Sequence, residues 1–247
     1  MAAVTLLSTR GLTRRFGGLT AVDAVDFDLA QGEIRALIGP NGAGKTTFVS
    51  LLSGRIAPDA GTVTFLGRDI TTEPAHRRVA AGIAYTFQIT SIYPRLTVLE
   101  NAALAAQSAL SRKNGLLGRV PEATVTARAG AALARVGLSE RAATPAGALS
   151  YGHQRLLEVA MGLALEPRLL ILDEPTQGLA DGEIEAFCVL VREIARDATV
   201  LLIEHNMPVV MRLADRITVL DGGRVLASGT PAEIRADAAV QAAYLGG

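Results

Sequence analysis

Gly39-Pro40-Asn41-Gly42-Ala43-Gly44-Lys45-Thr46-Thr47 fits the spacing G-x-x-x-x-G-K-[ST], a phosphate-binding loop. What surrounds it matters as much as the pattern. Ile34-Arg35-Ala36-Leu37-Ile38 before it is a compact apolar run that reads as a buried strand, and helical spacing runs from Gly44 through Leu52. In such a strand–loop–helix the glycines let backbone N–H groups turn inward around phosphate oxygens, and the helix start adds a positive field. Lys45 is placed to reach β- and γ-phosphates, and the Thr46 hydroxyl to ligate Mg²⁺. Lys45 and Lys113 are the only lysines, every other cation being arginine. A compact ammonium stands where a planar guanidinium fork would not fit between phosphates.

Outward from the loop, Val25, Phe27 and Leu29 alternate with Asp26 and Asp28, as on a half-buried strand, and Thr62 to Leu66 reads as another before a turn at Gly67. Strand-like runs return at Leu169–Leu172, Thr199–Ile203 and Ile217–Leu220, with a hairpin-type turn at Gly222-Gly223. Between about 97 and 152 alanine dominates. Leu99, Ala102, Ala103 and Ala106 recur at helical spacing, Gly115, Gly118 and Pro121 interrupt it, and Ala127 to Val136 resumes it. The expected architecture is an α/β phosphate-loop NTPase core with a β-rich N-terminal part, the core formed by 1–96 and 153–247 and a helical insertion at about 97–152.

Length and composition suit one domain with a subdomain: 247 residues, about half of them apolar. The formal net charge of zero removes the simplest case for a nucleic-acid binder. Cys188, the single cysteine, lies in an apolar stretch and reads as a buried thiol in a chain without internal disulfides. No segment reaches the roughly 18–20 apolar residues that span a bilayer, and the N-terminus shows no basic head before an apolar run, so the expected location is cytosolic.

A second chemical element is Leu169-Leu170-Ile171-Leu172-Asp173-Glu174, an apolar strand ending in two carboxylates. In phosphate-loop enzymes an Asp at such a strand end holds the Mg²⁺ shell, and an adjacent Glu can polarise an attacking water.

Further motifs carry a family resemblance over nearly the whole chain. Leu149-Ser150-Tyr151-Gly152-His153-Gln154-Arg155 resembles the Leu-Ser-Gly-Gly-Gln signature of ATP-binding-cassette (ABC) proteins, and Gln88 in Tyr85-Thr86-Phe87-Gln88 resembles their Q-loop. Gly178-Leu179-Ala180-Asp181 resembles the D-loop, His205 the switch histidine, and Phe16 the aromatic that stacks on adenine. Tyr151 replaces the signature's first glycine and His153 precedes Gln154, while Ser150 and Gly152 keep the hydroxyl and the close backbone approach. Similar variants occur in ATPases of branched-chain amino-acid uptake systems, and Glu204-His205-Asn206-Met207 and the ending Ala243-Tyr244-Leu245-Gly246 are similar to that subfamily too.

The resemblance implies an ABC ATPase fold and a head-to-tail dimer with an identical or paralogous cassette. ATP is then held between the phosphate loop of one subunit and Ser150, Gly152 and Gln154 of the other. Glu174, His205 and Gln88 serve catalysis, and Thr46, Gln88 and Asp173 serve Mg²⁺. The implied partners are membrane permease subunits and, indirectly, a solute-binding protein, with the cassette on the cytoplasmic face of the inner membrane and Ile92–Leu96 as a docking rim. Open alternatives are a cassette for urea or an aromatic acid, a cytosolic cassette without a transport role, and a nucleotide kinase. The last leaves Ser150, Gln88 and His205 unexplained.

Overall fold

The computed structural model describes residues 4–86, 92–114 and 120–245. In chain order these form β1 (Thr5–Phe16), β2 (Leu19–Ala30), β3 (Ile34–Ile38), α1 (Lys45–Leu52), β4 (Ala60–Phe65), β5 (Arg68–Asp69), α2 (Ala75–Ala81), β6 (Ile83–Thr86), α3 (Val98–Asn114) and α4 (Glu122–Arg135). Then follow α5 (Tyr151–Ala164), β7 (Leu169–Asp173), α6 (Asp181–Ile194), β8 (Thr199–Ile203), α7 (Met207–Leu213), β9 (Arg216–Asp221), β10 (Arg224–Gly229), α8 (Pro231–Ala236) and α9 (Ala238–Leu245). Two compact units result: Met1–Arg78 with Val191–Gly247, and Val79–Leu190.

In the first unit β2, β1, β4 and β5 form an antiparallel sheet. The alternation on β2 works as expected, with Val25, Phe27 and Leu29 buried. The second sheet of this unit has β3 at its heart, parallel to both β8 and β9, with the β9–β10 hairpin outside. β3 and β8 are buried at every position. This fits strands covered on both faces, whose sequences are continuous apolar runs rather than alternating ones. Each fully buried Leu, Ile or Val there contributes about 1.5–3 kcal/mol relative to exposure. Gly222 and Gly223 both take positive φ, 51° and 79°, the geometry of a two-residue hairpin turn. The C-terminal segment belongs to this unit: Ile234 of α8 and Val240 of α9 pack with Ala36, Ile38, Val210, Ile217 and Val219. Thr230 and Glu233 form a capping box that starts α8.

In the second unit β6 and β7 run parallel, and α3, α4 and α5 pack on one another. On α4 the buried positions Val125, Ala129, Ala132 and Leu133 trace one helical face. The helix begins earlier than its apolar spacing suggests. Pro121 is its N-cap and lies between α3 and α4, so it interrupts the helical spacing as expected, at a place where proline is well tolerated because the helix needs no N–H there. Gly115 and Gly118 lie outside the described residues. Cys188 is buried, as its apolar setting predicts. Among the described residues no helix is long and apolar enough to cross a membrane.

Candidate nucleotide site

The phosphate loop leaves the C-terminal end of β3 and is shaped by its neighbours' backbones. A Cβ at Gly39 would stand 2.1 Å from the Leu220 carbonyl oxygen of β9. Gly44 caps α1 at φ +94°, where a Cβ would stand 2.2 Å from the Ala21 carbonyl oxygen of β2. Only glycine tolerates both the conformation and the approach. The Gly223 N–H donates to the Ala43 carbonyl (3.1 Å) and the Asp23 N–H to the Gly223 carbonyl (2.8 Å), so the β9–β10 turn ties the loop to β2. Inside this frame Lys45 Nζ donates to the carbonyls of Gly39 (2.7 Å) and Pro40 (3.0 Å), which fixes the ammonium over its own loop. The bond from Phe48 N–H to the Gly44 carbonyl (2.8 Å) opens α1, so the N–H groups of the first turn precede intrahelical bonding. Asn41, Gly42 and Thr46 are exposed, and Pro40 and Thr47 half-buried. An anchored ammonium, N–H groups at a helix start and an exposed hydroxyl suit a polyphosphate and its divalent cation.

His205 leaves the same edge of the sheet. Leu37 on β3 is in register with Ile203 on β8, so Gly39 and His205 follow adjacent parallel strands at their C-terminal ends, where open α/β sheets bind ligands. The imidazole is exposed because the turn beneath it is built by Glu204, whose buried carboxylate accepts the N–H groups of His205 (3.0 Å) and Asn206 (3.1 Å). Asn206 Oδ1 then caps α7 by accepting the Val209 N–H at 3.4 Å. Phe16 ends β1, 45% exposed, with the Arg14 guanidinium 4.8 Å from its ring centroid. An aromatic face open on a polar surface is available for stacking.

In the second unit Asp173 is the last residue of β7, 3% exposed, and accepts a 2.6 Å hydrogen bond from the Tyr85 hydroxyl on β6. Glu174 follows with φ +48°, unusual for a residue bearing a side chain and often a mark of functional sites. Gln88 lies outside the described residues.

The signature segment is held by side chains. Ser150 caps α5, accepting the His153 N–H at 3.3 Å, with Oγ also 2.7 Å from His153 Nδ1. Arg155 donates through Nε (3.1 Å) and Nη2 (2.8 Å) to the Tyr151 hydroxyl and pairs with Glu158 (2.9 Å), both members of that ion pair buried. The Tyr151 ring covers Gly178, where a Cβ would meet ring carbon Cε1 at 2.8 Å. Gly152 also admits a close approach within the chain, by Glu183 of α6, whose Oε1 would be 2.5 Å from a Cβ. Gln154 donates its amide to the Leu149 carbonyl at 3.1 Å, so it braces the segment.

Tyr85 and Glu204 entered the sequence reading only inside quoted motifs, with no role of their own, and Asn101 not at all. Asn101, fully buried, accepts the Tyr93 N–H (2.7 Å) and donates to the carbonyls of Tyr93 (3.0 Å) and Thr97 (2.9 Å), shaping the segment whose Tyr93, Pro94 and Arg95 are exposed. Glu204 left a signal: it ends an apolar strand, like Asp173. Tyr85 and Asn101 left none, because their partners are set by strand register and by a loop's return path.

A sequence profile described as ABC transporter matches residues 22–177, more than half of the chain, and a second, described as Branched-chain amino acid ATP-binding cassette transporter, matches 224–247. The chain belongs to the ABC transporter family and is one of its ATP-hydrolysing cassettes. It is 41% identical to the high-affinity branched-chain amino acid transport ATP-binding protein LivG of Salmonella typhimurium, over 98% of each chain. Identity to the corresponding protein BraF of Pseudomonas aeruginosa is 39%, with the same coverage. Among solved structures, the ADP conformation of MJ1267, an ATP-binding cassette of an ABC transporter, aligns with a TM-score of 0.87 at 27% identity, covering 99% of this chain and 100% of that one.

Proposed function

We propose that this cassette energises import of branched-chain or similar apolar amino acids, working on the cytoplasmic face of the inner membrane against permease subunits fed by a solute-binding protein. The carrying observation is that similarity to LivG and BraF runs the length of the chain and extends to the C-terminal segment 224–247, beyond the region that matches the general family profile. Gly39 to Thr47 bind the phosphates of ATP and Phe16 stacks on its base. Thr46, Gln88 and Asp173 serve Mg²⁺, which neutralises charge developing on the transferred phosphoryl group. Glu174 orients the attacking water, and His205 and Gln88 complete the response to the γ-phosphate. Ser150 and Gly152, braced by Gln154, present the start of α5 to the nucleotide of a second cassette. The helical segment at about 97–152, set into the nucleotide-binding portions 1–96 and 153–247, faces the permease with the Asn101-braced rim 92–96.

Uptake of labelled leucine tests the transport reading: it is lost when the gene is deleted and restored by complementation. Normal uptake of every apolar amino acid, with loss of urea or an aromatic acid instead, moves the assignment to another solute. Action across a dimer is tested by mixing Ser150→Arg with Lys45→Ala subunits. The mixed dimer has one composite site with both lesions and one with neither, so ATPase activity rises above that of either variant alone. Proven mixed dimers without recovery count against it.

A further inference from the structure

The Ser150–His153 pair gives the imidazole a task that the family reading does not use. A serine hydroxyl has one proton to donate and two lone pairs with which to accept. The His153 backbone N–H takes one lone pair of Ser150 Oγ, at 3.3 Å. The 2.7 Å contact between Oγ and Nδ1 then has two forms. With Nδ1 bare, the Ser150 hydroxyl donates to it, and its only proton is spent inside the pair. With the proton on Nδ1, the imidazole donates to Oγ, both lone pairs are filled, and the hydroxyl proton is left to point outward. Only the second form offers a hydrogen bond to an anion standing before α5.

We propose that His153 is a positioning residue for ATP: by donating from Nδ1 it turns the Ser150 hydroxyl into a donor for the γ-phosphate brought by the partner cassette. The inference rests on Ser150 acting across a dimer. The three other polar side chains that follow Ser150 in the segment are committed elsewhere: Tyr151 and Arg155 to each other and Gln154 to the Leu149 carbonyl. His153 is therefore the side chain of this segment that addresses the serine hydroxyl. A phosphate, all acceptor, selects the form in which the hydroxyl donates.

The test is ATP turnover of the assembled transporter carrying His153→Leu or His153→Asn, each with Ser150 or with Ser150→Ala. Leucine fills similar space without a donor. Asparagine places an amide N–H near the position of Nδ1. With Ser150 present, His153→Leu lowers turnover about tenfold, the upper end for losing the one hydrogen bond that orients the hydroxyl, and His153→Asn stays within about threefold of the parent. With Ser150→Ala, the residue at 153 no longer matters and the variants turn over alike. Unimpaired ATP binding to the isolated subunit, through the Lys45 loop, shows that each variant is folded. Equal rates for leucine and asparagine beside Ser150, or a difference that persists without the hydroxyl, overturns the proposal while leaving the role of Ser150 standing. Parent-level turnover in Ser150→Ala itself removes the reading on which it rests, and the proposal with it.

Discussion

The phosphate loop and the signature segment both lead a turn into a helix, yet they are held by opposite means. The loop is fixed by backbone: carbonyls of Leu220 and Ala21 press on Gly39 and Gly44, and the Gly223 N–H ties down Ala43. The signature is fixed by side chains: Arg155 between Tyr151 and Glu158, Gln154 on the Leu149 carbonyl, Ser150 on His153. Backbone constraints leave a rigid spacing of glycines, which reads as a motif. Side-chain constraints accept different residues as long as the set is mutually satisfied, so Tyr151 and His153 depart from the family pattern without loss of the turn. In the loop, changing a side chain should therefore remove ligand contacts and spare the fold. In the signature, changing a bracing side chain should cost stability and spare ATP binding to the subunit's own loop.

The largest effect is expected at Lys45. Lys45→Ala removes the cation that the loop carries toward the phosphates, and ATP affinity should fall roughly a thousandfold, the scale of losing a buried charge partner. The melting temperature should stay within a few degrees, since the bonds to the Gly39 and Pro40 carbonyls lie within the loop itself. A titration and a melting curve on the same sample check both halves. A collapse of the fold would mean that Lys45 builds the loop rather than arms it.

Glu174→Gln comes next. It keeps shape and backbone while removing the carboxylate proposed as the base, so hydrolysis should fall about a hundredfold to a thousandfold with ATP still bound. Light scattering should then show an ATP-dependent dimer. Parent-rate hydrolysis would place the base elsewhere.

Arg155→Met should show the other side of the contrast. It leaves Glu158 buried without the partner at 2.9 Å and strips Tyr151 of its two hydroxyl bonds. Breaking a buried pair from one side costs about 3–5 kcal/mol, or roughly 6–20 °C in melting temperature for a chain of this size. Nucleotide titration of the isolated subunit should give parent affinity. Adding Glu158→Leu should recover part of the loss, because a matched apolar pair carries no desolvation penalty.

The same contrast explains what could be read from sequence. β3, β7 and β8 are buried throughout, so their apolar runs announced them; Asp173 followed as the carboxylate ending such a run, whereas His205 was legible only through the family resemblance. Ser150 was likewise legible through its resemblance to the signature motif. The side chains that hold these groups were not: Arg155 and Glu158 look like ordinary helix charges until burial shows them paired, and Asn101 looks like a surface amide. The neighbour of Gly152 within the chain was hidden for the same reason. A glycine's spacing says that something comes close, not that the neighbour is Glu183 of the same chain.

Tyr85→Phe tests the case between the two regions and should give the smallest effect. Asp173 is delivered by a buried strand, a backbone device, yet its carboxylate also accepts the 2.6 Å bond from Tyr85, a side-chain device. Phenylalanine keeps the ring between its neighbours and deletes only the donor. The bond is charge-assisted, so its loss should cost about 1.5–3 kcal/mol at most, seen as a modest fall in melting temperature. The informative measurement is the Mg²⁺ concentration that gives half-maximal ATPase activity. If Tyr85 aims the carboxylate, that concentration should rise several-fold while ATP affinity measured without Mg²⁺ stays constant, because the phosphate loop is untouched. If the melting temperature falls and the Mg²⁺ curve does not move, β7 alone sets the carboxylate. Asp173 would then belong with the phosphate loop, as a group whose place is decided by backbone.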